Sequence, residues 1–70
     1  MNTNNLKAIM AKHGDSQEKL AEFLGLHVSG VNARINGKIE FRLSEIRAIR
    51  ERYGLSPEEV TEIFFDENVS

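Results

Sequence analysis

Residues 17–38, QEKLAEFLGLHVSGVNARINGK, contain the pattern that decides the fold. Two short segments with helical apolar spacing are separated by only three residues, the first of which is Gly25. Two helices joined by so tight a glycine-containing turn form a helix-turn-helix. The apolar side that the first helix is expected to bury consists of Leu20, Ala21, Phe23 and Leu24. The small Ala21 lies at the point where the second helix is expected to cross closely. The stretch therefore predicts a helix-turn-helix over about residues 17–36.

Glycines divide the rest of the chain into further helices. Four of the five glycines follow apolar-periodic segments, where a left-handed helix end favours glycine. No segment has the strict apolar–polar alternation of a β-strand. The expected helices cover about residues 5–13, 17–24, 28–36 and 43–53, and the last begins at Pro57. Five short helices joined by tight turns predict an all-α orthogonal bundle.

Capping signals support several of these helix starts. The clearest is Ser56-Pro57-Glu58-Glu59, which combines a capping serine, a proline in the first helical position and a glutamate three residues after the cap. Ser16 can cap the second helix, and Thr3, Asn4 or Asn5 can cap the first.

The composition limits the possible functions. The 70 residues include no cysteine and only two histidines, so we expect no disulfide, no bound metal and no cofactor. A single domain over residues 1–70 buries a limited core, which makes dimerisation a plausible source of further stability. No apolar run approaches the roughly 20 residues that span a bilayer, and the polar N-terminus lacks a signal-peptide pattern. These features predict a cytoplasmic protein without membrane contact.

Charge is distributed unevenly along the chain. The formal net charge is −2, yet all nine Lys and Arg residues lie in the first 57 positions. Residues 58–67 hold five acidic residues and no base, so the C-terminal helix and tail, at about 57–70, are acidic. If the basic part contacts a polyanion, we expect the acidic part to lie on the far side, because carboxylates repel phosphate.

The helix-turn-helix stretch resembles the Cro/phage-repressor (Xre) family. The similarity rests on Gln17-Glu18-Lys19-Leu20-Ala21-Glu22-Phe23-Leu24-Gly25-Leu26, then Val31 and Asn36-Gly37-Lys38. The five-helix layout agrees over nearly the whole chain. The resemblance implies a lambda-repressor-like bundle and a small transcription regulator of phage, prophage or bacterial host that binds a double-stranded DNA operator. A homodimer would read two half-sites one helical turn apart.

The resemblance also assigns DNA contacts to residues. It implies that Gln17 binds a backbone phosphate and that the second motif helix enters the major groove. Five residues of that helix share the face opposite Val31 and Ile35, and they are the candidates to face the bases: Val28, Ser29, Asn32, Ala33 and Asn36. Ser29 and Asn32 can hydrogen-bond base edges, whereas Val28 and Ala33 can contact a thymine methyl group.

Phosphate contacts are expected just beyond this helix. The helix is followed by Asn36, Lys38 and Arg42. Arg34 lies beside the face that is expected to meet the bases, and His27 belongs to the turn before the helix. These five residues complete the predicted DNA-binding set.

The sequence also bears on two other classes of function. The chain has no Gly-x-Ser-x-Gly elbow, no spaced catalytic triad and no phosphate-binding glycine loop, so we expect no enzymatic activity and no catalytic residues. The alternative to DNA binding is an antirepressor or modulator that binds another repressor protein through the same fold. The apolar, charge-poor face of the second motif helix and the net acidity favour that alternative.

Overall fold

The computed structural model describes residues 3–65, which form five α-helices and no strand. In chain order they are α1 (Thr3–Lys12), α2 (Gln17–Leu24), α3 (Val28–Ile35), α4 (Leu43–Tyr53) and α5 (Pro57–Phe64). The all-α, five-helix prediction is confirmed. Two acids of the predicted tail, Asp66 and Glu67, lie outside the described residues.

Glycines follow the ends of four helices, as the sequence predicted. Gly25 and Gly37 adopt left-handed backbone angles, with φ of +70° and +78°, which residues other than glycine rarely adopt. After α3, the Lys38 N–H donates to the Ala33 carbonyl at 2.9 Å and the Gly37 N–H to the Arg34 carbonyl at 3.1 Å. These two hydrogen bonds form a Schellman motif, which closes the helix. The same left-handed conformation occurs at Gly14 and Gly54.

Serine caps begin two of the helices. Ser16 Oγ accepts a hydrogen bond from the Lys19 backbone N–H at 3.1 Å. At α5, Ser56 Oγ accepts from the Glu59 N–H at 3.1 Å, while Glu59 Oε1 accepts from the Ser56 N–H at 2.9 Å. Both caps were predicted, and they satisfy backbone donors that have no partner inside a helix.

Three helix boundaries differ from the expectation. Helix α1 begins at Thr3, so Asn4 and Asn5 lie inside the helix and do not cap it. Apolar spacing marks only the buried face, and the helix extends beyond its first buried residue, Leu6. Helix α1 ends at Lys12 and helix α3 at Ile35, each one residue earlier than predicted.

The core draws side chains from every helix. Ala21 of α2 is 3% exposed, as expected of a small residue at a close helix crossing. Helix α2 packs on α3, whereas α5 packs on α1 and α4. The largest fully buried side chains are Leu6, Leu20, Val31, Ile35, Ile49 and Ile63.

Phe23 is not part of this core, contrary to the prediction from its place on the apolar side of α2. Its side chain is 46% exposed, and the Arg52 guanidinium lies over its ring, 4.5 Å from the centroid. A cation over an aromatic face is attracted by the ring quadrupole. Phe23 therefore contributes a surface contact between α2 and the end of α4.

The same arginine also binds Asp15, in the turn before α2. The Asp15 carboxylate accepts hydrogen bonds from Arg52 Nε at 2.7 Å and Nη2 at 2.9 Å, and a third from the Tyr53 hydroxyl. The Arg52 hydrogen bonds lower the pKa of the Asp15 carboxyl to about 2, although burial opposes the change. Because Asp15 and Arg52 lie 37 residues apart, the pair joins the α1–α2 turn to the end of α4.

We expect Asp15→Asn to lower the free energy of unfolding by about 1–2 kcal/mol at pH 7, because Arg52 is partly exposed and water screens the pair. A carboxyl whose pKa is depressed on folding stabilises the fold above its unfolded pKa. That stabilisation is lost as the pH falls from the ordinary value of 3.8 toward about 2. Urea unfolding across this range checks the prediction, and a difference between the two proteins that persists at pH 2 would contradict it.

Candidate nucleic-acid interface

Helix α3 has one buried and one open face. Val31 and Ile35 are fully buried against the core. On the opposite side Ser29, Asn32 and Asn36 are exposed. Their short polar side chains can hydrogen-bond a ligand laid against this side of the helix. We call the face that carries Val28, Ser29, Asn32, Ala33 and Asn36 the reading face.

Three amide side chains on and beside this face are hydrogen-bonded in series. Asn32 Nδ2 donates to Gln17 Oε1 at 3.1 Å, and Asn36 Nδ2 donates to Asn32 Oδ1 at 2.9 Å. Gln17 is the first residue of α2, so the series links the start of one motif helix to the exposed face of the other. The links restrict the orientation of the Asn32 amide before any ligand arrives.

Gln17 and Asn32 keep hydrogen-bonding groups that this series does not use. A side-chain amide has two N–H donors and two acceptor lone pairs. Asn32 uses one of each within the protein and keeps one of each, the number that a bidentate contact with adenine requires. Gln17 uses only its oxygen, so both of its N–H donors remain for an acceptor such as a phosphate oxygen.

The segment of residues 36–42, between α3 and α4, follows the reading face, and we call it the basic loop. Lys38 and Arg42 are exposed in it. Within the part of the chain that the structure describes, the Lys38 ammonium has no hydrogen-bond or ion-pair partner. One acid, Glu40, is exposed in the same loop. The loop thus offers two cations to an anionic surface beside α3.

Arg34 does not belong to this cationic set, contrary to the prediction. Its side chain is 8% exposed and lies in the interior. Arg34 Nε donates to Glu45 Oε1 at 2.9 Å, and Nη2 donates to Glu45 Oε2 at 3.3 Å. A third donor, Nη1, binds the Gly30 carbonyl at 3.0 Å. Three of the five N–H donors are engaged inside the protein and the side chain is buried, so the guanidinium is not presented to a phosphate beside α3.

Glu45, which was not among the residues predicted from the sequence, is the counter-ion of Arg34. Its Oε1 also accepts the Arg42 backbone N–H at 2.9 Å, which caps the start of α4. Burial raises the pKa of the Glu45 carboxyl, but these hydrogen bonds and the Arg34 charge outweigh burial and hold the pKa below its ordinary value. The position of Glu45 three residues after Arg42 was the available signal, since helix-capping glutamates occupy that place.

The remaining predicted residues lie at the edges of the reading face. His27 is exposed and precedes α3 without capping it through its side chain. Val28 is 45% exposed, a high value for an apolar side chain, whereas Ala33 is only half-buried. Both can contact an apolar group of a ligand.

Residues 3–65 contain neither a metal-binding cluster nor a membrane-spanning helix. No group of three or more His, Cys, Asp or Glu side chains there is arranged to hold a metal ion. Over the same residues, no helix has both the length and the apolar character that crossing a membrane requires.

Comparison with known proteins identified a family. The family of Cro/Xre-like helix-turn-helix domains matches residues 6–60, which include all of α2, α3 and α4. Neither the curated proteins nor the solved structures gave a match to the chain. Members of the matched family are DNA-binding regulatory domains. Its match covers well over half of the chain, so this chain belongs to the Cro/Xre-like helix-turn-helix family.

Proposed function

We propose that this protein is a sequence-specific transcription regulator of phage or prophage type that represses by binding a double-stranded DNA operator. In this proposal α3 enters the major groove with its reading face toward the bases. The protein acts in the cytoplasm of a bacterial or phage-infected cell and needs no cofactor.

The observation that carries the proposal is the amide series from Gln17 through Asn32 to Asn36. It supports a division of labour in which Gln17 holds a phosphate and thereby fixes the neighbouring base reader, Asn32. Lys38 and Arg42 would add the electrostatic attraction on which DNA affinity largely depends. The acids of α5 are carried by a helix that packs on α1 and α4, which supports their placement away from the DNA.

Selection from a random-sequence duplex library tests the proposal. We expect the wild-type protein to enrich a common site, and we expect its affinity for that duplex to exceed its affinity for random duplex at least a thousandfold. Recovery of no common sequence, with equal binding to all duplexes, would contradict sequence-specific recognition.

A homodimer is the proposed DNA-binding form. The domain is 29 Å in its longest dimension, which is less than the roughly 34 Å between half-sites one helical turn apart. Phe65 is 55% exposed at the end of α5, next to Phe64, whose ring packs edge-on against Phe41 at 5.4 Å. An exposed aromatic beside a packed aromatic pair is a suitable centre for a contact between two copies.

We expect Phe65→Glu to weaken self-association at least tenfold without unfolding the domain, because Phe65 is exposed and a charge would have to be buried in the contact. Phe65→Leu, which keeps the contact apolar, is the matched control. Sedimentation equilibrium without DNA measures both. A wild-type protein that remains monomeric at high micromolar concentration would contradict this part of the proposal.

The exposure of Val28 at the start of α3 favours one alternative function. The reading face lacks arginine and glutamine, the residues that commonly make bidentate base contacts, and has an apolar residue at its leading edge. A protein that binds another repressor through this face, as an antirepressor or modulator, would have these properties. Electrophoretic shift of operator DNA with and without a second repressor distinguishes the two functions.

A further inference from the structure

A single carboxylate, that of Glu45, holds both ends of the basic loop. Its Oε1 accepts from Arg34 Nε, two residues before the loop, and from the backbone N–H of Arg42, the last residue of the loop, both at 2.9 Å. We call the bidentate pair of Arg34 and Glu45 the clamp. It joins the helix that carries Asn32 to the helix that begins at Arg42.

Burial makes the clamp unusual. The two side chains are 8% and 9% exposed, and every buried side-chain nitrogen and oxygen atom in the described chain has at least one hydrogen-bond partner. Removing two charges from water is costly, and apolar residues of similar size often stabilise a fold as well as a buried ion pair does. What an ion pair adds is geometry, because a bidentate guanidinium–carboxylate contact fixes distance and orientation together.

Gly30 completes the arrangement. Arg34 Nη1 donates to the Gly30 carbonyl, and a Cβ at residue 30 would lie 3.3 Å from that nitrogen. Glycine is a poor helix former, and its φ here is not in the left-handed region, so backbone conformation does not explain its presence. Space for the Arg34 guanidinium does explain it.

We propose that the clamp is the positioning element of the DNA interface: it sets Lys38 and Arg42 at a fixed distance from the reading face of α3. This inference rests on the proposed DNA-binding function. Phosphate contacts determine the register of a protein on the duplex, and base contacts succeed only in the correct register. A loop released from the clamp would still carry its charges but would lose that register.

The double variant Arg34→Met/Glu45→Met tests the proposal, since it removes the clamp without leaving a buried charge. We expect its melting temperature to stay within about 5 °C of the wild type. Its affinity for the duplex enriched by the wild type should fall at least tenfold, and the magnitude of the logarithmic salt slope should fall by about two as both phosphate contacts are lost. The control is Arg47→Gln/Glu51→Gln, which also removes one positive and one negative charge, but from two exposed residues of α4. We expect the affinity of this control for the enriched duplex to change less than twofold.

A purely structural role would give a different result. In that case the folded double variant would keep the wild-type affinity, salt slope and preference for the enriched duplex over random duplex, and the proposal would be overturned.

Amide hydrogen exchange, measured without DNA, distinguishes failure of this inference from failure of the proposed function. The Gly37 and Lys38 amides donate to the carbonyls of Arg34 and Ala33. We expect these two amides to exchange hydrogen at least tenfold faster in the double variant, because the loop loses its attachment to α4 and these two hydrogen bonds then have to hold it without the clamp. Unchanged exchange would overturn the inference, whereas enrichment of no duplex by the wild type would overturn only the proposed function.

The explanation of Gly30 has its own test. In the double-variant background Gly30→Ala should raise the melting temperature by about 4–8 °C, because alanine is the better helix former. In the wild-type background the methyl group would press on Arg34 Nη1, and the gain should be smaller or reversed. Equal gains in both backgrounds would show that Gly30 does not serve the clamp.

Discussion

Replacing Arg34 alone with methionine is expected to lower the free energy of unfolding by about 3–5 kcal/mol at pH 7, because Glu45 would be left buried without its counter-ion. Small domains are stable by only about 5–15 kcal/mol, so this single change would leave the protein close to unfolding. Urea denaturation followed by far-ultraviolet circular dichroism measures the loss.

The pH dependence identifies the cause of that loss. In the wild type the pKa of the Glu45 carboxyl lies below its ordinary value of 4.5, so Glu45 stabilises the fold above that pH and less below it. Without Arg34, burial would raise the pKa, and the variant would lose stability as the pH rises past 4.5. The gap between the two proteins should therefore shrink on acidification. A gap of equal size at pH 4 and pH 7 would indicate that the cost comes from packing and not from charge.

Asn32→Ala is expected to cost about 1–3 kcal/mol of binding free energy on the duplex enriched by the wild type, and little on random duplex. The reason is that Asn32 keeps one donor and one acceptor for a base edge after its hydrogen bonds to Gln17 and Asn36. The free energy of unfolding of the variant should hardly differ from that of the wild type, because the Asn32 side chain is exposed. Fluorescence anisotropy titration with both duplexes measures the difference.

Lys38→Ala is the contrasting variant for that experiment. An exposed ammonium that contacts phosphate carries no sequence information, so its loss should weaken binding to both duplexes alike and reduce the salt slope by about one. If Asn32→Ala also weakened binding to the two duplexes equally, Asn32 would be a backbone contact and the assignment of base readout would be wrong.

Local signals predicted most of the fold. The spacing of small and apolar residues around Ala21 and Val31 located α2 and α3, because a helix buries a stripe that recurs every three to four residues. Glycines located the helix ends, because a left-handed residue closes a helix and glycine adopts that conformation without strain. The Ser56–Glu59 capping box located the last helix. Each of these signals lies within one turn of the element that it specifies.

Features that depend on contacts between distant residues were not predictable in this way. Arg34 was expected in solvent beside the reading face, yet its partner Glu45 lies eleven residues away on another helix, where no periodic pattern points to it. Phe23 was expected in the core, but α2 buries too narrow a stripe to include it, and Arg52, 29 positions later, covers the exposed ring. For the interface, the helical periodicity of residues 28–36 was enough to predict that the reading face is exposed. The Gln17–Asn32 hydrogen bond could not be predicted, because it depends on how α2 and α3 cross.

Titration of the ¹⁵N-labelled protein with the enriched duplex, followed through its amide resonances, tests whether the exposed face of α3 binds the major groove. We expect the largest shifts at the side-chain amides of Gln17, Asn32 and Asn36 and at the backbone of Ser29 and of the basic loop, with the acidic α5 unaffected. Shifts concentrated on α1 and α5, or no shift with duplex but shifts of α3 on addition of another repressor, would contradict this expectation.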